Sequence, residues 1–201
     1  MRTGDEVRSF FQRGGFFYGI VYLLWRGWEA LPRLLFTWLY RHALKSCGAG
    51  SVFAQGVYIA NPRNVEIGKR CYVGADVQIG SETADGTLRC GDQVQISEGC
   101  RIDHSGGVTI GDRTLLSANA RIYSHDHGYD PRSKPTPVKI TIAEDVWIGA
   151  GAMILPSTGS IGKQAIVGAG AVVTKPVPEG AIVAGNPARI VKMRTPTHTH
   201  D

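Results

Sequence analysis

The sequence lacks an apolar run long enough to span a membrane, and it lacks the cysteine spacing of a metal or redox centre. Within its first 46 residues the longest stretch without a charged residue is 14–25, which holds twelve positions, whereas a membrane-spanning helix needs about 20. The four cysteines show no CxxC spacing, which argues against a zinc ribbon or a thioredoxin-like site. The N-terminus has no cleavable signal pattern. We therefore expect a cytoplasmic protein and, if it contacts a membrane at all, contact with the inner face.

A six-residue repeat runs from Ile67 to Thr174, with an aliphatic residue followed by a small one at each step. It is interrupted at 84–88 and again by a histidine-bearing segment at 123–131. No single unit of such a repeat can bury its apolar face alone, so neighbouring units stack into a solenoid. The repeat therefore predicts a mainly β fold, a parallel β-helix of triangular coils, over 52–192.

Three of the four cysteines, Cys71, Cys90 and Cys100, fall on repeat positions that require small apolar side chains. Free cysteine behaves as a small apolar residue in protein cores, and disulfides are rare in reducing compartments. We interpret these residues and Cys47 as reduced core cysteines, and we expect no metal site.

Several segments carry a resemblance to a known family. They are the repeat itself, the loop with His127, the segment VWIGAGA at 146–152, and the segments VGAGAVVTK at 167–175 and AGNPAR at 184–189. Together they resemble the hexapeptide-repeat acyltransferases, and most of all the sugar and polysaccharide O-acetyltransferases related to the galactoside and maltose acetyltransferases. The resemblance implies a left-handed parallel β-helix, a homotrimer with active sites between neighbouring prisms, and acetyl-CoA as the acyl donor.

The first 46 residues form a separate region that is rich in aromatic and basic residues. They carry seven positive and three negative charges, which is +4 of the formal net charge of +5. Pro32 is expected to divide this helical segment in two, because proline cannot donate a backbone hydrogen bond within a helix. Two interpretations remain open: a segment at the membrane surface, or a cap over the open end of the β-helix. Residues 193–201 are expected to be a disordered tail.

Acyl transfer to a sugar hydroxyl needs a base that removes the hydroxyl proton during attack. Histidine fits this role because its ordinary pKa, about 6.5, leaves much of it neutral at physiological pH. His127 matches the position of the family's catalytic histidine. His125 is the second choice, because residues two apart in an extended segment face the same side. Each of the nearby carboxylates, Asp103, Asp126 and Asp130, could instead form a turn. Asp103 is favoured as the group that orients the base or binds the sugar, because it is expected one or two coils beneath the loop, whereas Asp126 would point away from both histidines in an extended chain.

The remaining site residues follow from the resemblance and from their chemistry. Candidate substrate-binding residues are Asp103, His104 and Trp147. Small residues permit a ligand to approach the chain closely, and lysine and arginine suit phosphates. Candidate coenzyme-binding residues are Ala150, Ala169, Gly170, Thr174, Lys175, Arg189 and Lys192. The step of the repeat from Ile154 to Ile161 spans seven residues rather than six, so we expect a bulge beside the coenzyme groove.

These residues predict an O-acetyltransferase that moves an acetyl group from acetyl-CoA to a sugar hydroxyl by direct attack, with His127 as the base. The acceptor is expected to be a bacterial surface polysaccharide or its lipid-linked precursor. One alternative is an N-acyltransferase acting on a nucleotide-linked amino sugar, and another is a non-catalytic trimeric scaffold. A zinc enzyme of the same fold would need two histidines five residues apart, which His125 and His127 do not supply. Nucleic acid is not an expected partner, because the repeat adds no basic stripe.

Overall fold

The computed structural model describes residues 33–194. The predictions for 1–32, including the helix break at Pro32, and for the tail beyond 194 lie outside the described residues. One α-helix, α1, covers 33–43. The strands in chain order are β1 (Ser46–Cys47), β2 (Val52–Phe53), β3 (Tyr58–Ile59), β4 (Val65–Ile67), β5 (Tyr72–Val73), β6 (Gln78–Gly80), β7 (Leu88–Cys90), β8 (Gln95–Ile96), β9 (Arg101–Asp103), β10 (Val108–Ile110), β11 (Leu115–Leu116), β12 (Arg121–Ile122), β13 (His125–Asp126), β14 (Thr136–Pro137), β15 (Ile140–Ile142), β16 (Trp147–Ile148), β17 (Met153–Ile154), β18 (Ser160–Ile161), β19 (Ile166–Val167), β20 (Val172–Val173), β21 (Ala181–Gly185) and β22 (Ala188–Met193).

Three sheets of parallel strands form the sides of the molecule. Sheet A contains β1, β4, β7, β10, β15 and β18, and sheet C contains β3, β6, β9, β12, β17 and β20. Sheet B contains β2, β5, β8, β11, β16, β19 and β21, with β22 added antiparallel at its end. The chain therefore visits sheets A, B and C in turn and returns to A one level further along. This is the parallel β-helix predicted from the repeat, and the prediction is confirmed.

The six-residue repeat places one aliphatic side chain of each strand inside the prism. Ile122 pairs with Ile102 on the coil before it and with Ile154 on the coil after it, and all three are buried. Side chains along a strand alternate between its two faces, so the neighbours Arg121 and Met153 point outward or lie only half-buried. We call the column of inward isoleucine, leucine and valine side chains the aliphatic stack. Cys71, Cys90 and Cys100 are buried within it, and all four cysteines are free.

The corner between sheets C and A, which we call the third corner, is less regular than the other two. It is formed by the connections after each strand of sheet C, and three successive connections, 81–87, 104–107 and 123–139, are rich in polar residues. The longest of these contains the antiparallel hairpin of β13 and β14. A 3-10 helix, Pro156–Thr158, occupies the next connection and accommodates the extra residue of the seven-residue step.

Helix α1 packs on the first coil. The Tyr40 ring lies 5.0 Å from the Phe53 ring, centroid to centroid, and the Tyr40 hydroxyl donates to the Val57 carbonyl oxygen at 2.8 Å. Leu34 and Trp38 on the same helix are exposed. Among residues 33–194, no helix combines the length and hydropathy needed to cross a bilayer. Whether the N-terminal segment also contacts a membrane stays a prediction.

Candidate active site

The third corners of three successive coils bring polar side chains to one place. The main-chain N–H of Glu82 donates to the Ser105 hydroxyl at 2.7 Å, and the main-chain N–H of Gly106 donates to the Ser124 hydroxyl at 2.9 Å. A Cβ on Gly106 would lie 2.1 Å from the Ser124 carbonyl oxygen, so only glycine permits this close approach. We call the group of Glu82, Asp103, Ser105, Ser124, His125 and His127 the polar cluster.

Asp103 connects the members of the polar cluster. Its Oδ1 accepts a hydrogen bond from the Ser105 hydroxyl at 2.5 Å. Its Oδ2 accepts the Ser124 N–H at 2.9 Å and lies 2.7 Å from His125 Nδ1. Burial by itself raises the pKa of the Asp103 carboxyl, but the bonds from Ser105, Ser124 and His125 outweigh it and lower the pKa. Asp103 is therefore a carboxylate at neutral pH.

The bond to Asp103 determines how His125 presents its ring. A carboxylate can only accept hydrogen bonds, so Nδ1 of His125 carries the hydrogen. In the neutral ring Nε2 then has a free lone pair, and this atom lies 3.6 Å from Oε1 of Glu82. The His125 side chain is 12% exposed.

His127 is oriented by the backbone of its own loop. Nδ1 lies 2.8 Å from the Ser133 carbonyl oxygen, which again assigns the hydrogen to Nδ1. The Ser133 hydroxyl donates in return to the His127 carbonyl oxygen at 2.7 Å. Nε2 of His127 lies 3.4 Å from Oε2 of Glu82, and the side chain is 28% exposed. His127 is thus the more accessible of the two rings, and its unprotonated nitrogen points to the same place as that of His125.

A cleft of about 240 Å³ adjoins the polar cluster. Asp103, His125 and Tyr123 line one part of it, and Gln78 and Arg101 line another. The Arg101 guanidinium donates two hydrogen bonds to Gln78 Oε1, at 3.0 and 2.6 Å. Carboxylate, guanidinium and amide groups of this kind can hydrogen-bond a ligand with several hydroxyl groups.

The structure differs from the sequence-based prediction at His104. The ring is fully buried, neither ring nitrogen has a hydrogen-bond partner of good geometry among residues 33–194, and the ring does not line the cleft. The chain stays extended beyond β9, so residue 104 points to the same inward side as Ile102. Burial lowers the pKa of the His104 imidazole. His104 therefore belongs to the core and not to the set of residues that a substrate can reach.

The three candidate carboxylates have different roles. Asp103 contacts His125 but has no hydrogen bond to His127, whose partner is the Ser133 carbonyl. Asp126 Oδ1 accepts the Gly128 N–H at 2.7 Å. Asp130 Oδ1 accepts the Arg132 N–H at 2.9 Å. These last two contacts are those of turn-forming aspartates.

Trp147 lies on a different side of the prism. It is on β16 in sheet B, is 49% exposed, and donates its Nε1–H to the Ser117 hydroxyl at 2.8 Å. The third corner is formed by sheets C and A, so a single chain does not bring Trp147 to the polar cluster.

The candidate coenzyme-binding residues are spread over two corners and one end of the prism within one chain. Ala150 and Gly170 occupy the corner between sheets B and C on successive coils, where the Gly170 N–H donates to the Ala150 carbonyl oxygen at 2.8 Å. Thr174 and Lys175 follow β20 in sheet C, whereas Arg189 and Lys192 lie on β22 at the end of sheet B. Ala150, Ala169 and Gly170 are exposed, and a Cβ on Gly170 would meet no atom within 4 Å. This corner therefore presents an open, small-residue surface.

Sequence reasoning missed Glu82, Ser124 and Ser133. Glu82 lies next to the first interruption of the repeat, at 84–88. An interruption of a solenoid repeat marks a loop, and loops carry function more often than the elements they connect. That signal could have identified the Glu82 loop, although it would not have shown which histidine the carboxylate faces.

Comparisons with known proteins agree with this architecture. The family described as "Hexapeptide repeat of succinyl-transferase" matches residues 139–175. The chain is 31% identical over 148 residues to the lipopolysaccharide biosynthesis O-acetyl transferase WbbJ of Escherichia coli, which covers 67% of this chain and 74% of that protein. It is 32% identical over 87 residues to the galactoside O-acetyltransferase of Lactococcus lactis, or 41% of this chain and 42% of that one. The chain thus spans less than half the length of the second relative.

A solved structure shows the same fold. A point variant of AntD, an N-acyltransferase from Bacillus cereus in complex with dTDP-4-amino-4,6-dideoxyglucose and coenzyme A, matches with a TM-score of 0.69 and 20% identity, over 79% of this chain and 88% of that chain. At this identity the likeness concerns the fold alone. The β-helix, its hexapeptide repeat and the match to WbbJ together show that the chain belongs to the hexapeptide-repeat acyltransferases.

Proposed function

We propose that this protein is an O-acetyltransferase that moves an acetyl group from acetyl-CoA to a hydroxyl of a sugar, within a bacterial surface polysaccharide or its lipid-linked precursor. The observation that carries the proposal is the orientation of His127, whose Nδ1 is held by the Ser133 carbonyl at 2.8 Å while Nε2 is accessible. A fixed tautomer with a free Nε2 is what a general base requires. The relatives named as O-acetyl transferases support a hydroxyl acceptor.

In the proposed reaction Nε2 of His127 removes the proton of the acceptor hydroxyl as the oxygen attacks the thioester carbonyl. The carbon–sulfur bond then breaks, and the imidazolium returns the proton to the coenzyme A thiolate. The Ser133 carbonyl stabilises the positive ring through the Nδ1 hydrogen bond throughout. The main-chain N–H of Ala150 is the proposed donor to the oxyanion, because the N–H groups of Gly149 and Gly151 already donate to the carbonyl oxygens of Val167 and Ala118. The small residues there let a ligand approach the backbone.

His125 is the second candidate for the base. Its Nδ1 is 2.7 Å from the Asp103 carboxylate, and such a bond fixes the tautomer that leaves Nε2 free in the neutral ring. The His125 ring is less exposed than the His127 ring. We assign His125 and Asp103 to binding and positioning the acceptor hydroxyl in the cleft.

The proposed assembly is a homotrimer with active sites between chains. The polar cluster lies at the corner of sheets C and A, whereas Ala150 and Gly170 lie at the corner of sheets B and C. A site that needs both groups can take them from two neighbouring chains. Closed symmetric rings are a common way to build such shared sites.

Mixed trimers test this arrangement. The variant His127→Ala lacks the proposed base, and Ala150→Trp places a large side chain on the proposed coenzyme surface without touching the core. If sites are shared, random mixing of the two inactive chains restores about one quarter of the sites. Mixtures that stay inactive, although mass measurement shows mixed trimers, contradict the shared site.

An N-acyltransferase acting on a nucleotide-linked amino sugar is the second candidate function. AntD, which was solved with an amino-sugar nucleotide, has the same fold, so the fold is compatible with such an acceptor. The same fold and the same base could support this reaction, since only the attacking atom changes, from a hydroxyl oxygen to an amine nitrogen. An acceptor panel separates the two functions.

The deciding experiment measures thiol release from acetyl-CoA with simple sugars, lipid-linked glycans and nucleotide-linked amino sugars as acceptors. We expect turnover with a hydroxyl acceptor and a loss of about 10²- to 10⁴-fold in kcat for His127→Ala. His42→Ala, an exposed histidine on α1, is the matched control and should behave as wild type. Unchanged turnover in His127→Ala with loss only in His125→Ala would transfer the role of base. Turnover with amino sugars alone would establish the second function.

A further inference from the structure

Three potential metal-ligand groups converge in the polar cluster. Nε2 of His125, Nε2 of His127 and the Glu82 carboxylate all lie within 4.8 Å of one another. The carboxylate oxygens are 3.6 Å from the first nitrogen and 3.4 Å from the second. The two imidazole rings meet edge to face, with centroids 5.0 Å apart.

The hydrogen bonds of the two rings show what this place can bind. Both Nδ1 atoms face groups that only accept, Asp103 Oδ2 and the Ser133 carbonyl oxygen, so both Nδ1 atoms carry hydrogen. In neutral rings both Nε2 atoms therefore present lone pairs toward an anionic carboxylate. Three electron-pair donors face one another without a hydrogen between them, which favours a cation at the centre.

We propose that Glu82, His125 and His127 bind a divalent transition-metal ion, with Zn²⁺ as the best fit, and that the bound ion blocks acyl transfer. Zinc takes nitrogen and oxygen ligands at about 2.0 to 2.2 Å in tetrahedral geometry, which separates ligand atoms by roughly 3.3 Å. The two nitrogens lie 3.6 and 3.4 Å from different oxygens of the Glu82 carboxylate, so a small rotation of that exposed side chain would bring one oxygen into this geometry. Three protein ligands leave the fourth position to water.

The hydrogen-bond partners of the two histidine Nδ1 atoms support the proposal. Histidines that bind metals usually donate their other ring N–H to a carboxylate or a main-chain carbonyl. His125 donates to a carboxylate and His127 to a carbonyl, so each ring is already held in the metal-binding tautomer. Once Nε2 of His127 is bound to a metal, its lone pair is not available to take the proton of the sugar hydroxyl. Metal binding and general-base catalysis therefore exclude each other at this atom.

The experiment measures metal binding directly and does not depend on activity. The full chain carrying His198→Ala and His200→Ala, which removes the tail histidines, is titrated with Zn²⁺ by calorimetry. Co²⁺ is used in parallel, because its visible spectrum reports tetrahedral coordination. We expect one ion per chain and a tetrahedral Co²⁺ spectrum.

Variants in the same background identify the ligands. Glu82→Gln and His125→Ala should each weaken Zn²⁺ binding at least tenfold, and Asp103→Asn should weaken it by about 10- to 100-fold through the ring it orients. Glu98→Gln, an exposed carboxylate on another loop, should leave binding unchanged. Equal binding in all variants, or binding lost with the tail histidines, would mean an adventitious ion only and would overturn the proposal.

Inhibition is measured in the thiol-release assay once an acceptor is known. Zn²⁺ should abolish turnover at the concentration that saturates the calorimetric site, and a chelator should restore it. Stoichiometric binding with undiminished turnover would overturn the proposed block of the base. Because metal binding is measured by calorimetry and acyl transfer by thiol release, either proposal can be contradicted while the other is supported.

Discussion

The aliphatic stack and the polar cluster use the same coils in opposite ways. In the stack, equivalent residues such as Ile79, Ile102 and Ile122 repeat at the same position on each level. In the polar cluster, the same three levels contribute unlike residues at the third corner, among them Glu82, Asp103 and His125. Pairing between the strands sets the spacing of the coils, so the sequence at a corner can vary without changing that spacing. Stability and chemistry are thereby assigned to different residues.

The difference extends to the kind of interaction on which each region depends. The stack relies on burial of apolar side chains, which is non-directional and tolerant of small changes in shape. The polar cluster relies on directed hydrogen bonds around the half-buried Asp103 carboxylate, each of which fixes the orientation of a partner. Substitutions should therefore separate the two regions: in the stack they lower stability without lowering activity per folded chain, whereas in the cluster they lower activity, in some cases together with stability.

The largest expected effect on stability comes from the stack. Ile96 is fully buried in sheet B, away from the third corner and from the coenzyme surface, and Ile96→Ala leaves a cavity. We expect the free energy of unfolding to fall by about 2 to 5 kcal/mol, as measured by urea denaturation, with kcat per folded chain unchanged. Ile190→Ala, at an exposed site on β22, serves as control. A fall in kcat without a fall in stability would contradict the division between the two regions.

The next effect comes from the centre of the polar cluster. Asp103→Asn replaces a carboxylate that accepts hydrogen bonds from three residues with an amide that cannot accept from Ser124 and His125 equally well. We expect a loss of about 1 to 3 kcal/mol in stability and a weaker orientation of His125. Asp126→Asn changes an exposed turn aspartate and should change neither quantity. Equal behaviour of the two variants would show that the Asp103 bonds contribute little.

The Asp103 carboxyl also predicts a dependence on pH. Its pKa in the folded protein is lowered below the ordinary value of 3.8, so folding favours the charged form. The stability that Asp103 contributes is then complete above the ordinary value and is lost as pH falls through the lower, folded pKa. The stability difference between wild type and Asp103→Asn should therefore shrink on acidification in that range. A difference that grows on acidification would reverse the sign and contradict the lowered pKa.

A smaller effect comes from the loop that holds His127. Ser133→Ala removes the hydroxyl that donates to the His127 carbonyl at 2.7 Å but keeps the Ser133 carbonyl that orients the ring. Loss of one such bond amounts to about 1 kcal/mol, so we expect kcat to fall roughly fivefold with little change in the unfolding midpoint. Ser157→Ala, at an exposed site, is the matched control. A loss as large as that of His127→Ala would show that the loop collapses without this hydroxyl.

The sequence predicts the stack better than the cluster, and the reason is physical. The spacing of Ile67, Val73 and Ile79 alone identifies a coil, because every unit must bury the same side chain at the same position. The same logic explains why Cys71 and Cys90 could be assigned to the core in advance. Periodicity can be read from neighbouring residues in the sequence, so it is enough to predict the fold wherever each coil repeats the one before it.

The polar cluster depends on how non-equivalent corners come together, which periodicity does not describe. The pairing of Asp103 with His125 depends on the hairpin that re-enters the corner at 123–139, and no spacing in the sequence specifies it. Glu82 faces both rings from an exposed loop without any pattern of its own. His104 was misplaced because a histidine at an interruption resembles a site residue, while the extended backbone turns it inward.

The smallest expected effect concerns residues at the far end of the stack. Lys175 and Arg189 are exposed, so their proposed contacts with the coenzyme phosphates are screened by water and salt. An exposed ion pair contributes up to about 1 kcal/mol, so Lys175→Ala and Arg189→Ala should each raise KM for acetyl-CoA roughly fivefold at low salt and less at high salt. Stability should not change, and Lys69→Ala at the opposite end of the prism should leave KM as in wild type. If KM and its salt dependence are the same as in wild type for both variants, these two residues do not belong to the coenzyme site. The small-residue corner at Ala150 and Gly170 would then be the remaining candidate for that site.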